Sequence, residues 1–395
     1  MSVHTRVRPW VWIGALVAVA ALLTWLPSVC TAEEVATVAT SQASTGDQIS
    51  VTQCLVSVVK TTGIYDFLTG DGWKRFVMIA IGGVLLYLGA AKGFEPLLLV
   101  PIGFGTILVN VPFAGMGSEH GLLGLIYTYG IANEVLPLIV FMGIGALADF
   151  GPLLASPRTA ILGAAAQFGV FGTLLGVVAL NVLPGVDFNI KEACSIAVIG
   201  GADGPTSIYV ASKFAPHLMG SIAVAAYSYM SLVPLIQPPI MKLLTTPEER
   251  RIRMRQVRPV SRLEKTLFPL IVLAMCIFFL PSAVPLMGCF AFGNFIKESG
   301  SVDRISKALQ NEVMNIATIF LGLGVGMQMS TERFMQMTTL GIIVLGLLAF
   351  ALGTAGGVIF AKVMNLFSKA NPVNPLIGSA GVSAFPMAAR VRACA

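Results

Sequence analysis

Long apolar runs alternate with short polar breaks along this chain, and most are about one bilayer crossing in length. They fall at about 76–91, 96–113, 135–149, 159–183, 193–211, 219–244, 266–296, 313–329 and 337–364, and a last one begins at 374. None alternates strictly as a barrel strand would. Lipid tolerates only backbone whose polar groups are satisfied internally, so the pattern predicts membrane helices. Several runs are interrupted: Pro96, Pro101 and Pro112 fall in one, Pro234, Pro238 and Pro239 in another. The pattern also repeats. Phe141-Met-Gly-Ile-Gly145 returns 179 residues later as Phe320-Leu-Gly-Leu-Gly324, and Ile199-Gly-Gly-Ala202 returns 178 residues later as Ile377-Gly-Ser-Ala380. Units with an odd number of spans are inverted relative to each other, and their broken segments meet near the midplane. The expected fold is an all-α polytopic membrane protein of two inverted-topology repeats with broken or re-entrant helices.

On this reading the first membrane repeat covers 76–244, a basic loop 245–265, and the second repeat 266–395. The same offset carries the second repeat beyond Ala395, so the sequence predicts a second repeat that is incomplete at its C-terminus, and reduced activity with it. At the other end, His4, Arg6 and Arg8 precede the apolar run Trp10–Leu26, and small residues follow at Cys30-Thr-Ala32. Residues 1–32 therefore resemble a signal peptide or an N-terminal anchor. Residues 33–75 form a polar linker and a pre-membrane segment. A signal peptide places that linker outside, whereas Lys74 and Arg75 mildly favour the inside.

Composition agrees with the pattern. Of 395 residues, 56% are hydrophobic and only 11% charged, with mean hydropathy +0.84. Soluble domains carry about 25% charge. The net charge of +6 is not a nucleic-acid signal, because the cations crowd one loop: Lys242, Arg250, Arg251, Arg253, Arg255, Arg258, Arg262 and Lys265. Such a loop marks the cytoplasmic side of a multi-pass protein of the inner or plasma membrane. The six cysteines show no metal-ligand spacing and His4, His120 and His217 are scattered, which argues against a zinc site.

The densest chemistry lies at Ile199-Gly-Gly-Ala-Asp203-Gly-Pro-Thr-Ser-Ile-Tyr209. A charged residue at membrane depth costs roughly 2.5–3.5 kcal/mol on insertion scales, so it comes with a partner and a purpose. Broken backbone at that depth lines a cavity or packs in protein. A carboxylate on a broken helix is a common cation site in ion-coupled transporters. The plainer alternative is a Gly-rich helix crossing with a paired Asp.

Gly93-Phe-Glu-Pro-Leu-Leu-Leu-Val-Pro-Ile-Gly-Phe-Gly105, Gly201-Ala-Asp-Gly-Pro-Thr-Ser-Ile208, Tyr227-Ser-Tyr229-Met, Asn374-Pro-Leu-Ile-Gly378, Gly381-Val-Ser-Ala384 and Ala389-Arg-Val391 carry a further signal. Through them the chain resembles the membrane β subunit of the sodium-pumping, biotin-dependent decarboxylases of oxaloacetate, methylmalonyl-CoA and glutaconyl-CoA. The resemblance spans about 76–391; it leaves out the N-terminal extension and breaks at Arg392, where family members continue through further helices. It implies a subunit that decarboxylates carboxybiotin carried by a partner, exports Na⁺ and consumes a proton. It implies as partners a soluble carboxyltransferase and biotin-carrier subunit and a small membrane γ-type subunit, with homo-oligomerisation in the complex. By matched motif, Asp203, Asn374 and Ser383 would hold Na⁺, Tyr229 would stand beside them, and Arg390 and Asn374 would hold carboxybiotin.

Each residue keeps a simpler alternative. Asn374 before Pro375 is a helix cap, Ser383 a backbone-bonded hydroxyl, Arg390 a snorkelling anchor and Tyr229 an interfacial aromatic. Asp149 and Glu134 read as solvated span ends, and Lys213 as interfacial. A stand-alone Na⁺- or H⁺-coupled secondary transporter and an inactive truncated remnant remain the competing functions.

Overall fold

The computed structural model describes residues 58, 60–93, 95–156, 158–182, 187–201, 203–252, 258–367 and 372–381. The chain divides into two units, Met1–Lys60 and Thr61–Ala395, and every helix that positions the site belongs to the second. The signal-peptide or anchor segment 1–32, most of the 33–75 linker, and loop residues 253–257 lie outside the described residues.

Every regular element described is helical. The main helices are α1 (Gly72–Ala90), α2 (Pro96–Val109), α3 (Leu122–Ala132), α4 (Val135–Leu147), α5 (Phe168–Leu180), α6 (Ile190–Ala197), α7 (Gly204–Phe214), α8 (Met219–Leu244), α9 (Arg262–Phe279), α10 (Val284–Ser299), α11 (Asp303–Met327) and α12 (Met337–Phe367); a further helix, Arg158–Ala166, precedes α5, and short helical turns join the rest. A 3₁₀ turn, Val198–Gly201, follows α6, and another, Pro375–Gly381, follows α12. Four described helices are long and apolar enough to cross a membrane: Gly72–Ala90, Ile161–Leu180, Asp303–Met327 and Thr338–Phe367. Two bent pairs also qualify, α3 with α4 at 60° and the two parts of α8 at 63°.

Each glycine-rich helix named by the repeat crosses a helix of the other half of the chain. At the α4–α10 crossing, Gly145 faces the backbone oxygen of Phe290, and Gly293 that of Met142. At the α2–α11 crossing, Gly105 faces Leu323 O and Gly326 faces Ile102 O. Glycine on both sides lets the backbones touch, the usual device for packing helices without a hydrophobic driving force. The crossings also satisfy helix ends. Asn294 Nδ2 donates to Gly145 O and Ala148 O, both at 3.0 Å, and Lys297 Nζ donates to Ala148 O at 2.7 Å. Asn110 Nδ2 donates to Met329 O at 2.9 Å just past α11. Orphan carbonyls that neither helix could satisfy alone are thereby covered.

The run 266–296, expected as one span, is a hairpin. Leu280 and Pro281 break it, and Thr266 Oγ1 donates to Glu298 O at 3.3 Å, bringing the start of α9 to the end of α10. Its open end carries the basic residues: Lys265 Nζ lies 3.1 Å from Asp149 Oδ1, and Arg258 donates to Leu154 O. The turn at Ser282 lies at the other end, since α9 has 18 residues and rises about 27 Å. By the same tracing along α11 and α2, Arg75, Asn110 and Arg333, which line one cavity, lie at the end opposite the basic loop.

Candidate functional site

The Asp203 run, counted among the apolar runs as 193–211 and expected as a broken or re-entrant helix, folds as a re-entrant hairpin, descending through α6 and the Val198–Gly201 turn and returning through α7. Asn189 and Glu192 form a capping box that starts α6, the Asn189 side chain accepting from Glu192 N at 2.9 Å and Glu192 from Asn189 N at 2.8 Å. The two feet are tied together by His217 Nε2 and Glu192 Oε1 at 3.1 Å. The returning foot is pinned where the Ser282 turn lies, Tyr209 donating its hydroxyl proton to Ser282 O at 2.5 Å. Glu134 pins it as well, accepting from Ser212 Oγ at 2.5 Å and pairing with Lys213 Nζ at 3.1 Å. Both feet are thus at the end opposite Lys265 and Asp149.

Glu134 is therefore no solvated terminus. Its side chain is 15% exposed and its backbone is left-handed (φ 64°) at the bend between α3 and α4, a conformation unfavourable for a non-glycine residue and held by the surrounding contacts. Lys213 is half-exposed. Asp149 is paired rather than free; the Gly151 N–H and then the Lys265 ammonium hold its carboxyl below the usual range.

Asp203 stands at the tip. Eleven residues of α7 put it about 16 Å from the feet, near half the roughly 30 Å hydrocarbon thickness. It caps α7: Oδ1 accepts from Thr206 N at 3.2 Å and Oδ2 from Thr206 Oγ1 at 2.6 Å. Pro205 in the first turn suits a helix start, where its missing N–H costs nothing. The carboxylate faces the N-terminal end of α7. Gly200 meets the backbone of Gly169, which in turn lies against Gly353 of α12. A side chain at Gly200 or Gly169 would push the tip away from its supports.

The aromatic ring against the start of α7 is Tyr227. A Cβ on Gly204 would lie 2.6–2.8 Å from the Tyr227 ring. The Tyr229 hydroxyl donates to Ile343 O, and its ring lies against Gly346 of α12, which Ile199 of the Val198–Gly201 turn also meets. Residues two apart on a helix point to nearly opposite sides, so the two rings of the Tyr227-Ser-Tyr229 motif meet different helices.

Asn374 reaches the protein's interior from the basic end. Its Nδ2 donates to Arg250 O at 3.0 Å and Ile252 O at 3.1 Å, and its Oδ1 accepts from Leu376 N at 3.0 Å. Its described contacts are those of a cap, and none reaches Asp203. The Pro375–Gly381 turn it begins lies backbone to backbone on α12, Gly378 against Gly357. Ser383 and Arg390 lie outside the described residues. One broken segment therefore comes in from each end, and α12 packs against both. Sequence reasoning missed the contacts of Thr206 and Tyr227.

The family model described as the Na⁺-transporting oxaloacetate decarboxylase beta subunit matches residues 74–394. The oxaloacetate decarboxylase beta chain of Haemophilus ducreyi is 48% identical over 86% of this chain and 90% of its own length. The glutaconyl-CoA decarboxylase subunit beta of Acidaminococcus fermentans is 54% identical over 85% of this chain and 87% of its own. For the methylmalonyl-CoA decarboxylase subunit beta of Veillonella parvula the figures are 53%, 85% and 86%.

Proposed function

The chain belongs to the family of Na⁺-transporting oxaloacetate decarboxylase beta subunits, and from that premise we propose that it decarboxylates carboxybiotin borne by a partner subunit and couples this to Na⁺ export. In the reaction the N–C bond of the N-carboxylate breaks, CO₂ leaves, and the ureido nitrogen takes a proton. The acid that loads the biotin is the business of the soluble carboxyltransferase, which with a small γ-type membrane subunit completes the complex. Several copies of the β subunit assemble within it.

The observation that carries the reading is the Asp203 carboxylate at the tip of a hairpin that ends at half depth. Na⁺ is a hard cation served by oxygen ligands, which Asp203, Thr206 and the carbonyls freed at the Val198–Gly201 turn can offer. Neutralised by Na⁺ or H⁺, Asp203 is cheap to hold at this depth, and bare it is not, which couples occupancy to movement. Asn374 and Ser383 complete the Na⁺ ligands when the segment from the opposite end closes on the tip, with Tyr229 between α8 and α12 guiding that approach. Arg390 supplies a forked donor set for the carboxybiotin carboxylate. The basic end faces the cytoplasm, where the biotin domain arrives. The approach of broken segments from opposite ends, and the matched crossings of α4 and α11, support two inverted repeats.

The test is to reconstitute the complex with its biotin-bearing subunit in vesicles. CO₂ release should require Na⁺ and accompany Na⁺ accumulation. Na⁺ transport by this chain without any biotin-bearing partner would instead favour the stand-alone carrier.

A further inference from the structure

The start of the basic loop is stitched to the segment that carries Asn374. The chain leaves α8 as a strap, Thr246–Ile252, built on a single helical turn, Pro247–Arg250. A capping box opens that turn: Thr246 Oγ1 accepts from Glu249 N at 3.3 Å, and Glu249 Oε2 accepts from Thr246 N at 2.8 Å. The same carboxylate pairs with Lys362 Nζ of α12 at 3.0 Å. Three residues beyond Lys362, the Asn365 side chain holds Val373 by both backbone atoms, donating to its O and accepting from its N, each at 2.7 Å. Val373 is thereby pinned to the end of α12, and Asn374 follows it onto the strap.

There the Asn374 carboxamide is fully engaged. It has two N–H protons and one oxygen. Nδ2 gives its protons to Arg250 O and Ile252 O, at and just past the end of the short turn, where a helix has no backbone partner for its carbonyls. Oδ1, the atom an ion would use, accepts from Leu376 N. The strap lies at the basic end, beyond the last residue of α8, Leu244, whereas Asp203 stands near half depth. Asn374 therefore holds the strap or reaches the tip, and not both.

We propose that the strap is a latch. Glu249 and Lys362 are positioning residues that present the Arg250 and Ile252 carbonyls to Asn374 and keep its oxygen away from the Na⁺ site until the strap lifts. The proposal rests on the reading of Asn374 as a Na⁺ ligand of the pump. The complete site exists only in the unlatched fraction of molecules, and the observed affinity for Na⁺ is the intrinsic one reduced by that fraction. Loosening the strap raises the fraction, so it tightens apparent binding.

The test is the Na⁺ concentration giving half-maximal decarboxylation by the assembled complex, with its biotin-bearing subunit, alongside the unfolding midpoint. Glu249→Gln keeps the capping box, which Gln serves as Glu does, and puts an uncharged amide against Lys362. Lys362→Met removes the other partner. Each should lower the half-maximal concentration about two- to fivefold, the range open to a partly exposed ion pair. Lys362→Arg keeps the pair and should behave as the native protein. Asn374→Ala loses latch and ligand together and should raise the concentration. A strap with only a structural role would lower the unfolding midpoint of Glu249→Gln and Lys362→Met with no gain in Na⁺ affinity. Should Lys362→Met fail to assemble, Glu249→Gln carries the test. In a Na⁺-stimulated native complex, a concentration unchanged or raised in Glu249→Gln overturns the latch alone. A native concentration in Asn374→Ala overturns its place at the ion and the latch with it. A native complex indifferent to Na⁺ overturns the pump reading itself.

Discussion

Replacing Asp203 by Asn separates charge from architecture at the hairpin tip. Asp203 caps α7 through Thr206 N at 3.2 Å and Thr206 Oγ1 at 2.6 Å. Asn caps helices about as well as Asp, and its carboxamide oxygen can still accept from Thr206 N, so the fold should lose less than about 1 kcal/mol. The ion loses far more. A unit charge 4 Å from Na⁺ at an effective dielectric of 20 contributes about 4 kcal/mol, which corresponds to roughly a thousandfold in affinity. Asp203→Asn should therefore leave the unfolding midpoint and complex assembly nearly native while abolishing Na⁺ stimulation across the accessible concentration range. Asp203→Ala should do the same and also lose about 1 kcal/mol of stability with the cap. The assay is decarboxylation by the complex against Na⁺ concentration, with thermal unfolding of each variant. A native half-maximal Na⁺ concentration in Asp203→Asn would refute the assignment of the carboxylate to the ion.

Gly293→Ala and Gly326→Ala press a methyl group onto the backbones of Met142 and Ile102 and should cost about 1–3 kcal/mol each. Gly83→Ala, with nothing within 4 Å, should cost nothing, and equal unfolding midpoints for all three would contradict the crossings. In a cysteine-free background, Glu248→Cys should resist an impermeant thiol reagent in intact cells and react in inverted vesicles. Glu332→Cys should do the reverse, and the opposite pattern would invert the topology. The carboxyl of Asp149, held low by the Gly151 N–H and by Lys265, stabilises the fold above its unfolded pKa and loses that effect as pH falls through its folded one. The difference in melting temperature between the native protein and Asp149→Asn should accordingly shrink below about pH 4; a difference constant from pH 7 to 3 would show that the charge is not involved.

Breaks in the chain were legible because Gly and Pro announce them, but the direction taken after a break was not. Apolar length predicts that 193–211 can cross a bilayer, and it equally allows a hairpin. What turns it back is non-local: His217 on Glu192, Ser212 and Lys213 on Glu134, and Tyr209 on Ser282. Glu134 and Lys213, read singly, look like ordinary span ends, and only their pairing across 79 positions shows the fastening. Asn374 before Pro375 carried a cap pattern beside its expected ligand role, and its Oδ1 accepts from Leu376 N. The contact of Tyr227 with the start of α7 depends on Gly204 leaving room for a ring, which no spacing on α8 itself encodes.

Phe141-Met-Gly-Ile-Gly145 and Phe320-Leu-Gly-Leu-Gly324 resemble each other in sequence, and each packs on the other part of the chain. The C-terminal carbonyls of α4 are satisfied by Asn294 and Lys297, and the backbone just past α11 by Asn110, each from across the chain. In lipid an unsatisfied carbonyl costs several kcal/mol, so each half supplies polar groups the other requires. Such halves must fold as one body, and α12, lying against both broken segments, is where a shift of one segment would be felt by the other. On the proposed pump reading, that shared contact is the physical route from an event at the basic end to the Asp203 tip.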